Sequence, residues 1–128
     1  MRFHTAVNKF SYQASLNKKI TIWKNAFLQI RPYATLKDIF NSMLIFINRH
    51  EKKTNEIYNL VTKNLSVKDI VTLIKAQKKV RLTFVNSKIM NEMTYKISNE
   101  KLRKTGFVPQ KNLRNEIIKT LNLFNFHN

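Results

Sequence analysis

The side chain best placed to do chemistry is Arg31, within Gln29-Ile30-Arg31-Pro32-Tyr33-Ala34-Thr35-Leu36-Lys37-Asp38-Ile39. Proline at 32 fixes its own φ and biases Arg31 toward extended backbone, so the guanidinium is carried on a strand end and not on a helix. A guanidinium held in one place presents a fork of donors that matches phosphate oxygens. The plainer alternative is an arginine exposed at the end of a strand. Trp23 and Tyr33 lie close by in sequence. Taken as bare aromatics in strands, they more often belong to a core. Other chemistries find little material: there is no cysteine, and His4, His50 and His127 are scattered. Disulfides, thiolate sites and a metal centre are not expected.

The elements that must hold Arg31 follow from periodicity and capping. Thr35 stands three residues before Asp38, which predicts a capping box opening a helix. Leu36, Ile39, Phe40, Met43, Leu44 and Ile47 then form one apolar face, which predicts a helix anchored to a core and ending near Arg49-His50. Before the arginine, Thr5 to Leu16 predicts a helix with Val7, Phe10 and Ala14 inward, and Ile20 to Trp23 predicts a strand. After it, Glu56 to Val61 predicts an interior strand, and Ser66 with Asp69 opens a helix with Val67, Ile70, Val71 and Ile74 inward. Val80 to Val85 predicts a further strand, and Asn86 to Thr94 a loop. Asn99 to Lys104 predicts a short helix closed by Gly106, the only glycine, at positive φ. Leu113, Ile117, Leu121 and Phe124 form a last amphipathic face. The pattern supports a small mixed α/β domain over residues 1–128.

With 43% hydrophobic residues in 128, the chain suits one globular domain. Twenty-four Lys and Arg against seven Asp and Glu give a formal charge of +17, enough to attract polyanions without naming one. Lys, Asn and Ile share AT-rich codons, so part of that charge reflects nucleotide composition. The longest apolar run, Met43 to Ile47, is far short of the roughly 20 residues that span a membrane. A soluble, cytoplasmic protein is expected. Residues 1 to 37 carry no acidic side chain, as in a presequence, but the strand-like Ile20-Thr21-Ile22-Trp23 and the scarcity of Arg and Ser argue against one.

Three blocks carry a resemblance. Val7-Asn8-Lys9-Phe10 through Lys19-Ile20-Thr21-Ile22-Trp23, continuing to Gln29-Ile30-Arg31-Pro32-Tyr33 and Lys37-Asp38-Ile39, is the first. Glu56-Ile57-Tyr58-Asn59 to Leu65-Ser66-Val67-Lys68-Asp69-Ile70 is the second, and Ser98 to Pro109 with its Lys-Thr-Gly-Phe-Val-Pro ending is the third. In order and spacing they resemble the C-terminal, substrate-binding half of the NAD-dependent nucleotide-sugar epimerases and dehydratases, the extended short-chain dehydrogenase/reductases. The resemblance implies that Arg31 meets the diphosphate of a nucleotide sugar, with Lys88 near the place of a second diphosphate cation. It implies that Trp23 and Tyr33 pack around the base. Lys24-Asn25-Ala26 departs from the family's glycine-bearing turn.

The family holds NAD on a glycine-rich loop after the first strand of a Rossmann lobe, and this sequence has one glycine at its far end. The Tyr/Lys catalytic pair of the family belongs to that lobe too. Tyr33 and Lys37 copy its spacing, but with one residue extended and the other helical they need not share a face. The expectation is a truncated or split enzyme that keeps the substrate lobe, holds no cofactor of its own, is inactive alone, and binds a nucleotide diphosphate-sugar. Its protein partner would be a separately encoded Rossmann half or a second copy, met through an exposed apolar patch. A different class of reading is a small basic RNA- or ribosome-associated protein, organellar ones included, and a relic reading frame is a third.

Overall fold

A computed structural model describes residues 5–48, 55–86, 94–110 and 113–125. Helix α1 (Ala6–Ser15) is capped by Thr5, whose hydroxyl accepts from the Asn8 amide. It ends when Asn17 takes φ 54. Asn17 N–H then bonds Ala14 O and Lys18 N–H bonds Gln13 O, the paired bonds of a Schellman ending, with asparagine where glycine is commoner. Strand β1 (Ile20–Trp23) and a 3₁₀ turn (Lys24–Ala26) lead to β2 (Ile30–Tyr33) and helix α2 (Leu36–Asn48). Next come β3 (Lys63–Ser66), α3 (Val67–Lys75), β4 (Leu82–Val85), α4 (Glu100–Arg103) and α5 (Arg114–Asn125).

Among the described residues the strands form two separate pairs. β1 runs parallel to β4 with Ile20 beside Leu82, and β2 runs antiparallel to β3 with Arg31 opposite Leu65. Pro32 is tolerated because a two-stranded ladder leaves each strand an edge. α1 packs on both α3 and α5. Phe10, Ala14, Ile20, Ile22, Leu65, Ile70, Val71, Ile74, Leu113, Ile117 and Leu121 make the core. Its helical members are inward positions expected from the sequence, while the expected Val7 and Val67 pack half-buried against it and Phe124 lies outside it. Ser66 and Asp69 complete the capping box of α3, and Gly106 has φ 93 after α4.

Three expectations fail. Glu56 to Val61 forms no strand; Ile57 is exposed, and carbonyls in the segment are met by side chains, Lys101 Nζ on Ile57 O at 3.0 Å and Asn99 Nδ2 on Val61 O at 2.7 Å. The ladder partner of β2 is instead Lys63-Asn64-Leu65-Ser66, whose composition has little strand preference. The capping box at Thr35 is half made. Its hydroxyl accepts from the Asp38 amide at 3.1 Å, but the Asp38 carboxylate turns to the Thr62 hydroxyl and the Gln110 amide.

The third concerns α2, whose apolar face is not anchored to a core. Leu36 is 81% exposed, Phe40 60%, and Ile47 71%, with Ile39, Met43 and Leu44 also exposed. The residues of α2 that are buried are Asp38 and Ser42. The helix is fixed by its polar side, because periodicity shows which face is apolar and not whether the same chain covers it. The predicted ends at Arg49 and His50 lie outside the described residues.

Candidate functional site

A cavity of about 830 Å³ opens between α1, the ends of β1 and β2, and α5, and Trp23, Arg31 and Tyr33 all line it. In β1 the strand alternation sends Ile20 and Ile22 into the core and leaves Trp23 half exposed at the last position. In β2, Arg31 and Tyr33 are two residues apart and therefore share a face. Neither aromatic belongs to the buried core, although Tyr33 packs against its edge.

Arg31 is held on several sides. Its Nη1 donates to Ile30 O at 3.0 Å and its Nη2 to Gln29 Oε1 at 3.1 Å. The guanidinium carbon lies 5.3 Å from the centre of the Tyr95 ring, within cation–π range. Tyr95 is placed by two ties of its own segment to β2, Ile30 N to Thr94 Oγ1 at 3.4 Å and Tyr95 N to Ile30 O at 3.3 Å. Asn64 of β3 clamps Ile97 through its N–H and carbonyl at 3.0 Å each. Residues 94–97 thus lie along the β2–β3 pair and deliver an aromatic to the arginine. Burial pushes the Tyr33 phenol above its ordinary value, the nearby Arg31 pulling weakly the other way, so Tyr33 stays neutral at physiological pH.

The first turn of α1 adds to the positive side. Thr5, Ala6, Val7 and Lys9 line the same cavity, and a helix start carries orphan amide donors and partial positive charge. At the α5 side, the Glu116 carboxylate is paired with Lys119 at 3.0 Å. The arrangement can therefore hold an anionic, phosphate-bearing group near Arg31 and a flat ring near Trp23 or Tyr33. Lys37, four residues beyond Tyr33, is exposed and does not line the cavity. Lys88 lies outside the described residues. Among the described residues no group of three or more His, Cys, Asp or Glu could hold a metal, and no helix is long and apolar enough to cross a membrane.

Tyr95, Lys9 and the α1 start were not legible as site residues in the sequence. Thr5 signals a helix start, but only the fold shows that this start lines one cavity with Arg31. Tyr95 follows a stretch with no clear period.

No family model matches the chain. Solved structures do. UDP-glucuronic acid 4-epimerase from Bacillus cereus, in complex with UDP-glucuronic acid and NAD, superposes with a TM-score of 0.80 at 17% identity over 97% of this chain and 40% of its own. UDP-glucose 4-epimerase from Thermotoga maritima with UDP-glucose gives 0.78 at 18% identity over 94% of this chain and 39% of its own. ADP-L-glycero-D-manno-heptose-6-epimerase from Helicobacter pylori gives 0.76 at 15% identity over 98% and 39%. The chain thus spans about 40% of the length of the enzymes it resembles. At these identities the likeness is one of fold: this protein has the mixed α/β architecture found in part of several sugar-nucleotide epimerases.

Proposed function

We propose that the chain is the nucleotide-sugar-binding lobe of a split or truncated NAD-dependent epimerase/dehydratase. The observation that carries this reading is the convergence of Arg31 and Tyr33 from one strand pair and Trp23 from the other on a single cavity. Arg31, with Lys9 and the α1 start beside it, takes the diphosphate, Arg31 as a fork and Lys9 as a point charge. Lys88 is the second diphosphate cation. Trp23 or Tyr33 stacks on the base, and the neutral Tyr33 phenol serves as a hydrogen-bond donor rather than a base. The chain holds no NAD itself and does not turn over substrate alone. A Rossmann lobe encoded separately supplies the cofactor and the catalytic residues, and it seats on the exposed apolar face of α2.

Calorimetric titration with UDP-, dTDP- and GDP-sugars tests the site directly. Saturable binding to one of them, lost in Arg31→Ala, is expected. Absence of binding to all three by a folded chain would overturn the reading as a present function.

A further inference from the structure

Lysines that look dispersed in sequence are gathered by the fold at one pole. Lys18 and Lys19 leave α1, Lys75, Lys78 and Lys79 end α3, and Arg81 leads into β4. Two contacts draw these segments together, and a third fixes the end of the first. Lys78 Nζ donates to Ser15 O at 3.0 Å, Ile20 N donates to Arg81 O at 2.8 Å, and the Schellman bond from Lys18 N–H to Gln13 O at 2.8 Å fixes where Lys18 emerges. In the parallel register Ile20 pairs with Leu82, so Lys19 and Arg81 each stand one residue before a paired position. Lys78 is engaged on the negative end of α1. Lys18, Lys19, Lys75, Lys79 and Arg81 are exposed, and among the described residues no carboxylate forms an ion pair with them. This pole lies at the opposite end of β1 from Trp23, and none of its cations lines the cavity.

We propose that this pole binds the phosphate backbone of duplex nucleic acid, independently of the nucleotide-sugar cavity. Five exposed cations on three converging segments match a closely spaced row of phosphates. Bilayer binding is best served by apolar side chains that enter the interface, and single strands by aromatics on which bases stack. The exposed aromatic nearest to it along α1, Tyr12, is turned onto the Phe124 ring. Asn17, Ala76 and Gln77 lie among its cations. Contacts confined to the backbone carry no sequence preference.

The test compares two triple variants of equal charge, Lys18→Ala/Lys19→Ala/Lys79→Ala at the pole and Lys68→Ala/Lys96→Ala/Lys104→Ala at exposed positions elsewhere. Binding to short random-sequence DNA and RNA duplexes is followed by fluorescence anisotropy across a salt series, alongside a single strand of equal length and phosphatidylserine vesicles. The pole variant should weaken duplex binding by about tenfold or more near 0.1 M salt and make the slope of log K against log salt shallower by about 2 to 3. The control triple should move both by less than half as much. A DNA–RNA difference would tell which duplex is preferred. Equal effects of the two triples, or binding confined to vesicles or to the single strand, would overturn the proposal. Matching melting curves confirm that both triples are folded.

Discussion

Arg31 is useful because it is held. The main-chain carbonyl of Ile30, the Gln29 amide oxygen and the Tyr95 face fix the guanidinium before any ligand arrives, so a ligand pays little to order it. Arg31→Lys keeps the charge but loses the planar fork and its stacking on Tyr95. It should lower sugar-nucleotide affinity by about tenfold, between wild type and Arg31→Ala, by titration calorimetry. Tyr95→Leu should produce a smaller loss while leaving the melting temperature almost unchanged. Pro32 made Arg31 legible in the sequence, because its constraint on the preceding residue is local. Tyr95 was illegible because its position depends on Asn64 gripping Ile97, a pairing across thirty-three positions that no local pattern encodes.

At the scale of elements, the helix ends were readable and one strand was not. Ser66 with Asp69 names the start of α3 because both partners lie within one turn. The hydrogen bonds from Ser66 hold the Asp69 carboxyl below its ordinary value. A carboxyl depressed by folding adds stability that is full above the ordinary aspartate range and fades as pH falls through the folded value. Asp69→Asn should therefore melt lower than wild type at pH 7, with the gap closing below about pH 4, and Ser66→Ala should cost about 1 kcal/mol in urea titrations. Asp38 works between elements. It accepts from Thr62 and from the Gln110 amide, tying α2 to the residue before β3 and to the segment after α4. Asp38→Ala would strand both donors and should cost about 3 kcal/mol by the same measurement. Glu56 to Val61 misled because its β-branched and aromatic residues favour a strand, whereas β2 selects its partner by register and takes Lys63 to Ser66.

For the whole molecule, hydrophobic spacing located the core faces of α1, α3 and α5 correctly, because those faces meet one another. It could not tell that α2 turns its apolar side outward, since that depends on which neighbours the chain includes. Phe40→Lys/Ile47→Lys should leave the melting temperature within a degree or two and shift any self-association seen by sedimentation toward monomer. The same variant should abolish capture of a Rossmann half if α2 is its seat. α1 is covered by α5, and among the described residues β1 finds its ladder in β4, so both are made before the elements that complete them. Synthesis at about 5–20 residues per second leaves α1 and β1 without their partners for several seconds. Folding is thereby deferred until Leu121 has cleared the exit tunnel, and premature termination anywhere before α5 yields a product that cannot close its core.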